Sequence, residues 1–518
     1  MMLVISLNAG PLFQSDQRTA ESTAGMVVSA TREASQAGLA ILKYGGNAVD
    51  AAAATAFALM VTDPAMCSLG GRSQVLVRLT NGEFIGIDGA TQAPGRVGPP
   101  ALIGHGYKTA VIPGSPAALE MMVRNHGKLP LRIIMEPAIK LAREGFEINQ
   151  EYHDTFRKYG KVFKTYPGTA EHFLKGDGSF YSKGEVLKQP ALATTLEKIA
   201  ENGAGILYHG DLAKAITKDM KSNQGLIREE DLAQYQPLPG ELVEGNYRGH
   251  RIVSRGDQCD GASVIEMLQI LEHFDLKEQV KNEVEYLHII AQVMNIGSTD
   301  EMLPDDFQVS RTTAAKRILE IKMDQASPTP MEMIEVFDEG ETNHLCVIDA
   351  EGMTVSITQS VGPSFGAKVA NPELGFFYAY SYDLNDAPVP LQREKTSQSP
   401  TVVLKNDIPI IVLGSAGSSR IPGSIVQTIV NYIDHRMTPK KAVGAPRVFY
   451  FGDQMRLEGD GVSMSTLKKL ESMGYTIKNY DELNGWFGRV QAIFRDPINS
   501  KLIIGISDPR DSGAAMDL

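Results

Sequence analysis

Two hydroxyl residues, Thr342 and Ser360, stand at the ends of one stretch of chain, eighteen positions apart. Between them Leu345–Ile348 reads as an apolar strand, Asp349-Ala350-Glu351-Gly352 as a turn, and Thr354–Gln359 as a β-branched, alternating strand. Two such runs joined by a short glycine-bearing turn pair as a hairpin. A hairpin of this length brings its ends together, so Thr342 and Ser360 are expected side by side. A threonine hydroxyl becomes a nucleophile when a nearby base takes its proton. Threonine at a strand start is far more often an ordinary strand residue, and the pair alone leaves both readings open.

A second stretch with chemical potential is Gly414-Ser415-Ala416-Gly417-Ser418-Ser419-Arg420, which closes the strand Ile408–Leu413 and precedes a helix from Pro422. It lacks the G-x-S-x-G spacing of a nucleophile elbow. A glycine-rich turn with free N–H groups at a helix start suits an anion or an oxyanion instead. The loop Ser68-Leu69-Gly70-Gly71-Arg72-Ser73 reads equally as a tight turn or as a ligand-facing loop with Arg72 as an anion anchor. There is no HExxH, no zinc pairing of Cys and His, no Walker A and no dinucleotide fingerprint, so no metal and no cofactor are expected.

The elements that must position these residues fit a large chain of 518 residues, well able to bury a core. Lys+Arg 50 against Asp+Glu 62 leaves a net charge of −12, which argues against nucleic acid or an anionic membrane as partner. Cys67, Cys259 and Cys346 are few and widely spaced, read as buried thiols rather than a disulfide framework. Met1–Phe13 lacks the pattern of a signal peptide, and Ala51–Val61 is too short to span a bilayer, so a cytoplasmic protein is expected. Met26–Ala30 reads as a buried strand, Arg32–Lys43 as a helix stopped by Gly45-Gly46, and Asn47–Met60 as an alanine-rich core helix. Helices dominate from Ala117 to about Lys221, and Tyr247–Ser254 reads as a strand after a turn at Glu244-Gly245-Asn246. The acidic, proline-bearing run 326–341 reads as a flexible surface segment open to cleavage.

Thr342-Asn343-His344, followed by Asp349-x-x-Gly352, Ser360 and Phe365-Gly366, resembles the catalytic segment of the gamma-glutamyltranspeptidase family. The likeness extends along nearly the whole chain, through Gly45-Gly46-Asn47-Ala48, Gly127-Lys128-Leu129-Pro130, Ala445-Pro446-Arg447 and Ser507-Asp508-Pro509-Arg510. The resemblance implies an α+β fold, a four-layer αββα N-terminal-nucleophile hydrolase sandwich, made as one proenzyme. Its threonine attacks the preceding peptide bond, here Glu341–Thr342, giving a large-chain region 1–341 and a small-chain region 342–518 within one intertwined domain. It further implies Thr342 as nucleophile, Ser360 as its hydroxyl partner, and Gly417 and Ser418 as oxyanion positions, the second being glycine in typical members. Asn343, Arg72, Thr396 and Ser397 fall among substrate-binding positions. The partner is a small-molecule amide, with a homo-oligomer left open.

The departures from the pattern lie at the substrate end. Where typical members have an arginine for the glutamyl α-carboxylate, this chain reads Asp88-Gly89-Ala90-Thr91-Gln92-Ala93-Pro94. Gly362 replaces an asparagine, and Ala379-Tyr380-Ser381-Tyr382-Asp383-Leu384 replaces the run that binds the α-amino group. Arg72 stands where typical members have glycine and is a candidate carboxylate anchor. The expectation is a gamma-glutamyltransferase-like autoprocessing amidohydrolase for a gamma-glutamyl or related small amide. Its alternatives are a hydrolase-branch enzyme of acylase or oxamate amidohydrolase type, and a catalytically silent homologue acting as a binding protein.

Overall fold

In the computed structural model, residues 17–97, 104–279, 283–299, 304–328, 340–380, 389–452, 454–459 and 461–518 are described. Met1–Phe13, most of the run before Gly340, and Ser381-Tyr382-Asp383-Leu384 lie outside them, and of Glu341 only the backbone is described.

Two seven-stranded sheets stack face to face. The first holds, in spatial order, Ala514–Asp517, Met26–Ser29, Gly340–Ile348, Thr354–Pro363, Arg72–Arg78, Phe84–Gly89 and Leu238–Pro239. The second holds Thr19–Ser22, Ile503–Ser507, Arg489–Arg495, Ile408–Ala416, Thr401–Lys405, His250–Arg255 and Leu242–Tyr247. Every pairing in both sheets is antiparallel.

Alternation along each strand divides the core into layers. Cys346 and Ile348 point between the sheets, where they meet Val402, Val412 and Ile493 of the second sheet. Leu345 and Val347 point the other way, into a helical layer built on Arg32–Tyr44 and Ala48–Thr62. The helices Gly261–Leu271, Glu283–Thr299 and Ile421–Ile433 cover the outer face of the second sheet. The order helix, sheet, sheet, helix is the expected αββα sandwich.

The alanine-rich helix, buried along its whole length, starts in a capping box between Asn47 and Asp50. Its N-terminus is tied to the Thr342–Ser360 hairpin, because Asp349 Oδ2 accepts the Ala48 N–H at 2.9 Å. Asp349 Oδ1 accepts the N–H groups of Glu351 and Met353, both at 3.0 Å, so one carboxylate shapes the hairpin turn and docks it on the helix.

One turn departs from the sequence reading. Glu244-Gly245-Asn246 is not a turn but lies inside the strand Leu242–Tyr247, which pairs with His250–Arg255. The reversal falls at Arg248-Gly249, with φ of 49° and 76°, the two positive values a two-residue I′ hairpin requires. Gly245 serves packing instead: a Cβ there would stand 2.2 Å from Ile265 Cγ2 of the helix above.

Candidate active site

Thr342 and Ser360 are antiparallel partners, with a register shift between Glu341 and Thr342, so that Glu341 pairs with Gly362. The next strand continues the row, Ser360 pairing with Arg72. Three neighbouring strands therefore present Thr342, Ser360 and Arg72 side by side, on the face turned toward the second sheet. Thr342 is 5% exposed and Ser360 1%. The Ser360 hydroxyl accepts the Gly362 N–H at 2.9 Å, which fixes its oxygen against the bulged end of the hairpin.

Below Thr342 on the same face lies His344, fully buried between the sheets. Its Nδ1 lies 2.8 Å from Thr358 Oγ1, and its Nε2 lies 3.2 Å from both Cys346 Sγ and Ser356 Oγ. Burial drives its pKa down to about 3, so the imidazole is neutral and acts as a hydrogen-bonding spacer. It packs against Gly414, where a Cβ would stand 2.2 Å from the ring. This closeness draws the strand Ile408–Ala416 in toward the hairpin and delivers the turn that follows it. The short helical turn Ser418–Arg420 lies beside the strand Gly340–Ile348.

That turn is held on three sides. Gly417 has φ 133° and packs on Gly488, whose Cα would be 3.0 Å from a Cβ at 417. Arg420 Nε donates to the Trp486 carbonyl at 3.0 Å. Behind Gly488, Arg447 Nη1 donates to its carbonyl at 2.6 Å while Nη2 meets Asp508 Oδ2 at 2.7 Å. Asp508 also accepts the Val490 N–H at 2.8 Å and pairs with Arg510, which in turn pairs with Glu458. The two short motifs Ala445-Pro446-Arg447 and Ser507-Asp508-Pro509-Arg510 thus form a buried ionic brace behind the turn. Ser418 sits at φ 53°, the left-handed region in which glycine is at ease and serine is strained.

The substrate-side residues are distributed differently from the sequence expectation. Arg72 is paired through Nη1 with Glu394, and Thr91 Oγ1 also donates to Glu394, at 2.7 Å. A substrate carboxylate at Arg72 would therefore have to displace Glu394. Thr396 and Ser397 lie just beyond Glu394, on the loop Gln258–Asp260: Thr396 N–H donates to the Gln258 carbonyl at 2.8 Å, and Ser397 hydrogen-bonds Asp260. Asn343 points to the opposite face of the sheet from Thr342, where Nδ2 donates to Asp63 Oδ2 at 3.1 Å and lies 3.0 Å from Cys67 Sγ. The Gly70-Gly71 loop is a close backbone crossing: a Cβ at Gly70 would stand 2.2 Å from the Phe377 carbonyl oxygen.

Asp63, Glu151, Tyr152, Arg489 and Asp511 are neighbours of Thr342 that sequence reasoning missed. With Thr342 they border a small cavity. Asp63 is fully buried, accepts hydrogen bonds from Tyr152 and Asn343, and is pushed up to about 7 by loss of water. Asp63 follows the alanine-rich helix and Asp511 follows the Asp508-Pro509-Arg510 motif, but no spacing signal links positions so far apart.

A family profile described as Gamma-glutamyltranspeptidase matches residues 34–518. The chain belongs to the gamma-glutamyltranspeptidase family. The glutathione hydrolase proenzyme of Escherichia coli strain K12 is 33% identical over 94% of this chain and 90% of its own length. The acylase ACY 1 proenzyme of Pseudomonas sp. strain SE83 is 31% identical over 90% of this chain and 89% of its own length. Among solved structures, cephalosporin acylase from Bacillus halodurans superposes with a TM-score of 0.89 at 28% identity, covering 99% of both chains. Helicobacter pylori gamma-glutamyltranspeptidase gives 0.57 at 31% identity over 62% of this chain and 96% of that one. The protein is thus a gamma-glutamyltransferase-like amidohydrolase with the N-terminal-nucleophile fold.

Proposed function

We propose that the chain is a proenzyme that cuts itself between Glu341 and Thr342 and then uses Thr342 as the nucleophile of an acyl-enzyme mechanism. The observation that carries this reading is the register of Thr342 opposite Ser360, with the Gly417–Ser418 turn beside the same strand. In the cut itself, Thr342 Oγ bonds to the Glu341 carbonyl carbon and the Glu341–Thr342 C–N bond breaks. Water then hydrolyses the resulting ester, leaving residues 1–341 and 342–518 as large and small chains.

The freed α-amine has an intrinsic pKa of about 7.7–8.0, suited to take the proton of its own Oγ near neutrality. Oγ attacks the substrate amide carbon, and the N–H groups at Gly417–Ser418 stabilise the oxyanion. The C–N bond breaks as the leaving amine takes the proton held by the α-ammonium. Water attacks the ester next, its proton passing through the α-amine back to Oγ; an acceptor amine in place of water gives transfer. Ser360 orients Oγ throughout.

The substrate is a gamma-glutamyl or related small amide. A second reading, an acylase-type hydrolase for a non-glutamyl acyl group, is favoured by the pairing of Arg72 with Glu394 and by the whole-chain likeness to cephalosporin acylase.

A denaturing gel of purified protein tests the core of the proposal. Two bands with a new N-terminus at Thr342, absent in Thr342→Ala, are expected, and a persistent single band in the wild type overturns it. Turnover of gamma-glutamyl-p-nitroanilide against acyl amides then separates the two substrate readings.

A further inference from the structure

The turn that carries Gly417 and Ser418 has an uncommon backbone, with φ of 133° and 53° at the two residues. A serine in the left-handed region persists where its surroundings over-determine it. Much of that support comes from one short stretch, Asn484-Gly485-Trp486-Phe487-Gly488. Its two ends are fastened to the ionic brace: Asn484 N–H donates to Glu458 Oε1 at 2.6 Å, and the Gly488 carbonyl accepts from Arg447 Nη1 at 2.6 Å. Gly488 fills the gap between the strand and the helix that flank the turn. A Cβ there would stand 2.8 Å from Ser424 Oγ and 3.0 Å from Ser415 Oγ.

Between these anchors Trp486, the single tryptophan of the chain, holds Arg420, the last residue of the turn. It does so twice. Its carbonyl accepts Arg420 Nε at 3.0 Å, and the Arg420 guanidinium carbon lies 4.5 Å from the centre of its ring. Indole is the best aromatic partner for a guanidinium, and the attraction is strongest away from water. Arg420 is buried, so the contact is made in that setting. The ring is itself fixed. Phe449 and Phe487 meet it edge-on at 5.4 and 5.1 Å, and the Arg456 guanidinium lies 4.2 Å from its centre.

We infer that Trp486 is a positioning residue of the enzyme, holding the Gly417–Ser418 N–H groups in place for the oxyanion through Arg420. The inference rests on Thr342 being the nucleophile and on that turn receiving the oxyanion. Without the ring, Arg420 keeps its hydrogen bond to the carbonyl but loses the surface that fixes its guanidinium, and the strained turn relaxes. Oxyanion donors act on charge that develops only as the bond to Oγ forms, so their misplacement costs the transition state more than the bound substrate. The loss therefore falls on kcat and spares KM.

The test compares full-length Trp486→Leu and Trp486→Phe on whichever p-nitroanilide the wild type turns over, with rates scaled to the self-cleaved fraction on a gel. Trp486→Leu should lower kcat about tenfold and leave KM within about twofold. Trp486→Phe should recover most of the loss, because a ring again faces the guanidinium. In a double-mutant cycle with Arg420→Met, the second substitution should cost little once the first is made. An unchanged kcat in Trp486→Leu, a loss that Trp486→Phe does not repair, or losses that add in the cycle overturn the inference. Should Arg420→Met fail to fold, the Leu and Phe variants decide it alone. A wild type that self-cleaves but turns over no amide overturns the nucleophile reading, and this inference with it.

Discussion

Thr342 and Ser360 are cross-strand partners, and the Ser360 oxygen is pinned by the Gly362 N–H at 2.9 Å. In the proposed mechanism a hydroxyl so fixed orients its neighbour without itself reacting. Ser360→Ala should slow turnover about tenfold, the worth of one hydrogen bond to a reacting oxygen. Ser360→Thr should stay within a few-fold of wild type, since it keeps the oxygen. Steady-state rates on one p-nitroanilide, with the extent of self-cleavage checked on a gel, measure both.

Ser418 holds a backbone conformation that suits glycine. Ser418→Gly removes strain of about 1 kcal/mol, partly offset by glycine's greater freedom in the unfolded chain. A small rise in Tm with turnover retained is the expected outcome. Ser418→Val, β-branched at the same φ, should lower both Tm and kcat, because the turn must distort to accept it.

The hairpin was legible because two signals agreed. The two apolar and β-branched runs read as paired strands, and the turn at Asp349–Gly352 between them brings Thr342 to Ser360; which of Leu345–Ile348 face the second sheet comes only from the structure. The αββα layering, by contrast, was implied by the resemblance. The reversal before His250 falls at Arg248-Gly249 rather than at Gly245, whose missing side chain makes room for Ile265 instead. Arg72 looked like a free anchor because an ion pair with Glu394, more than three hundred positions away, leaves no trace in local sequence. Asp63, Glu151 and Asp511 were invisible for the same reason. Each is ordinary in its own stretch, and only the fold makes them neighbours.

The Arg72–Glu394 pair predicts a gain rather than a loss. Glu394→Gln removes the carboxylate that occupies the guanidinium while leaving Thr91 an acceptor. KM for an amide with an acyl-side carboxylate should then fall about tenfold, the scale of one charge-assisted pair, with neutral amides unchanged. If KM for the acidic amide does not move, Arg72 has no part in reading the acyl group.

Arg447 and Asp508 are both essentially inaccessible to water, and each holds backbone groups around Gly488 and Val490. Asp508 keeps Arg510 as a partner, so Arg447→Ala removes one of two compensating cations and several backbone hydrogen bonds, and should destabilise the fold by about 1–3 kcal/mol. Because the brace supports Gly417 through Gly488, self-cleavage should slow as well. Denaturant unfolding and a time course of band conversion check the two effects separately.

Asp63 gives the stability a pH dependence of definite sign. Desolvation raises its folded-state pKa from 3.8 to about 7, so the folded chain keeps a proton that the unfolded chain has released. Stability therefore falls as pH rises through that window, and it is fully expressed only below the unfolded value. His344 works in the opposite direction: its folded pKa of about 3 means stability is lost as pH falls below 6.5, and it no longer titrates above that. Between pH 6.5 and 8 the carboxylate alone remains of the two, and Asp63 should account for a loss of roughly 1 kcal/mol, with Asp511 acting in the same sense. Scanning calorimetry of wild type and Asp63→Asn across that interval should show a falling Tm in the first and a flatter one in the second. Parallel curves would mean that Asp63 is already ionised in the folded chain.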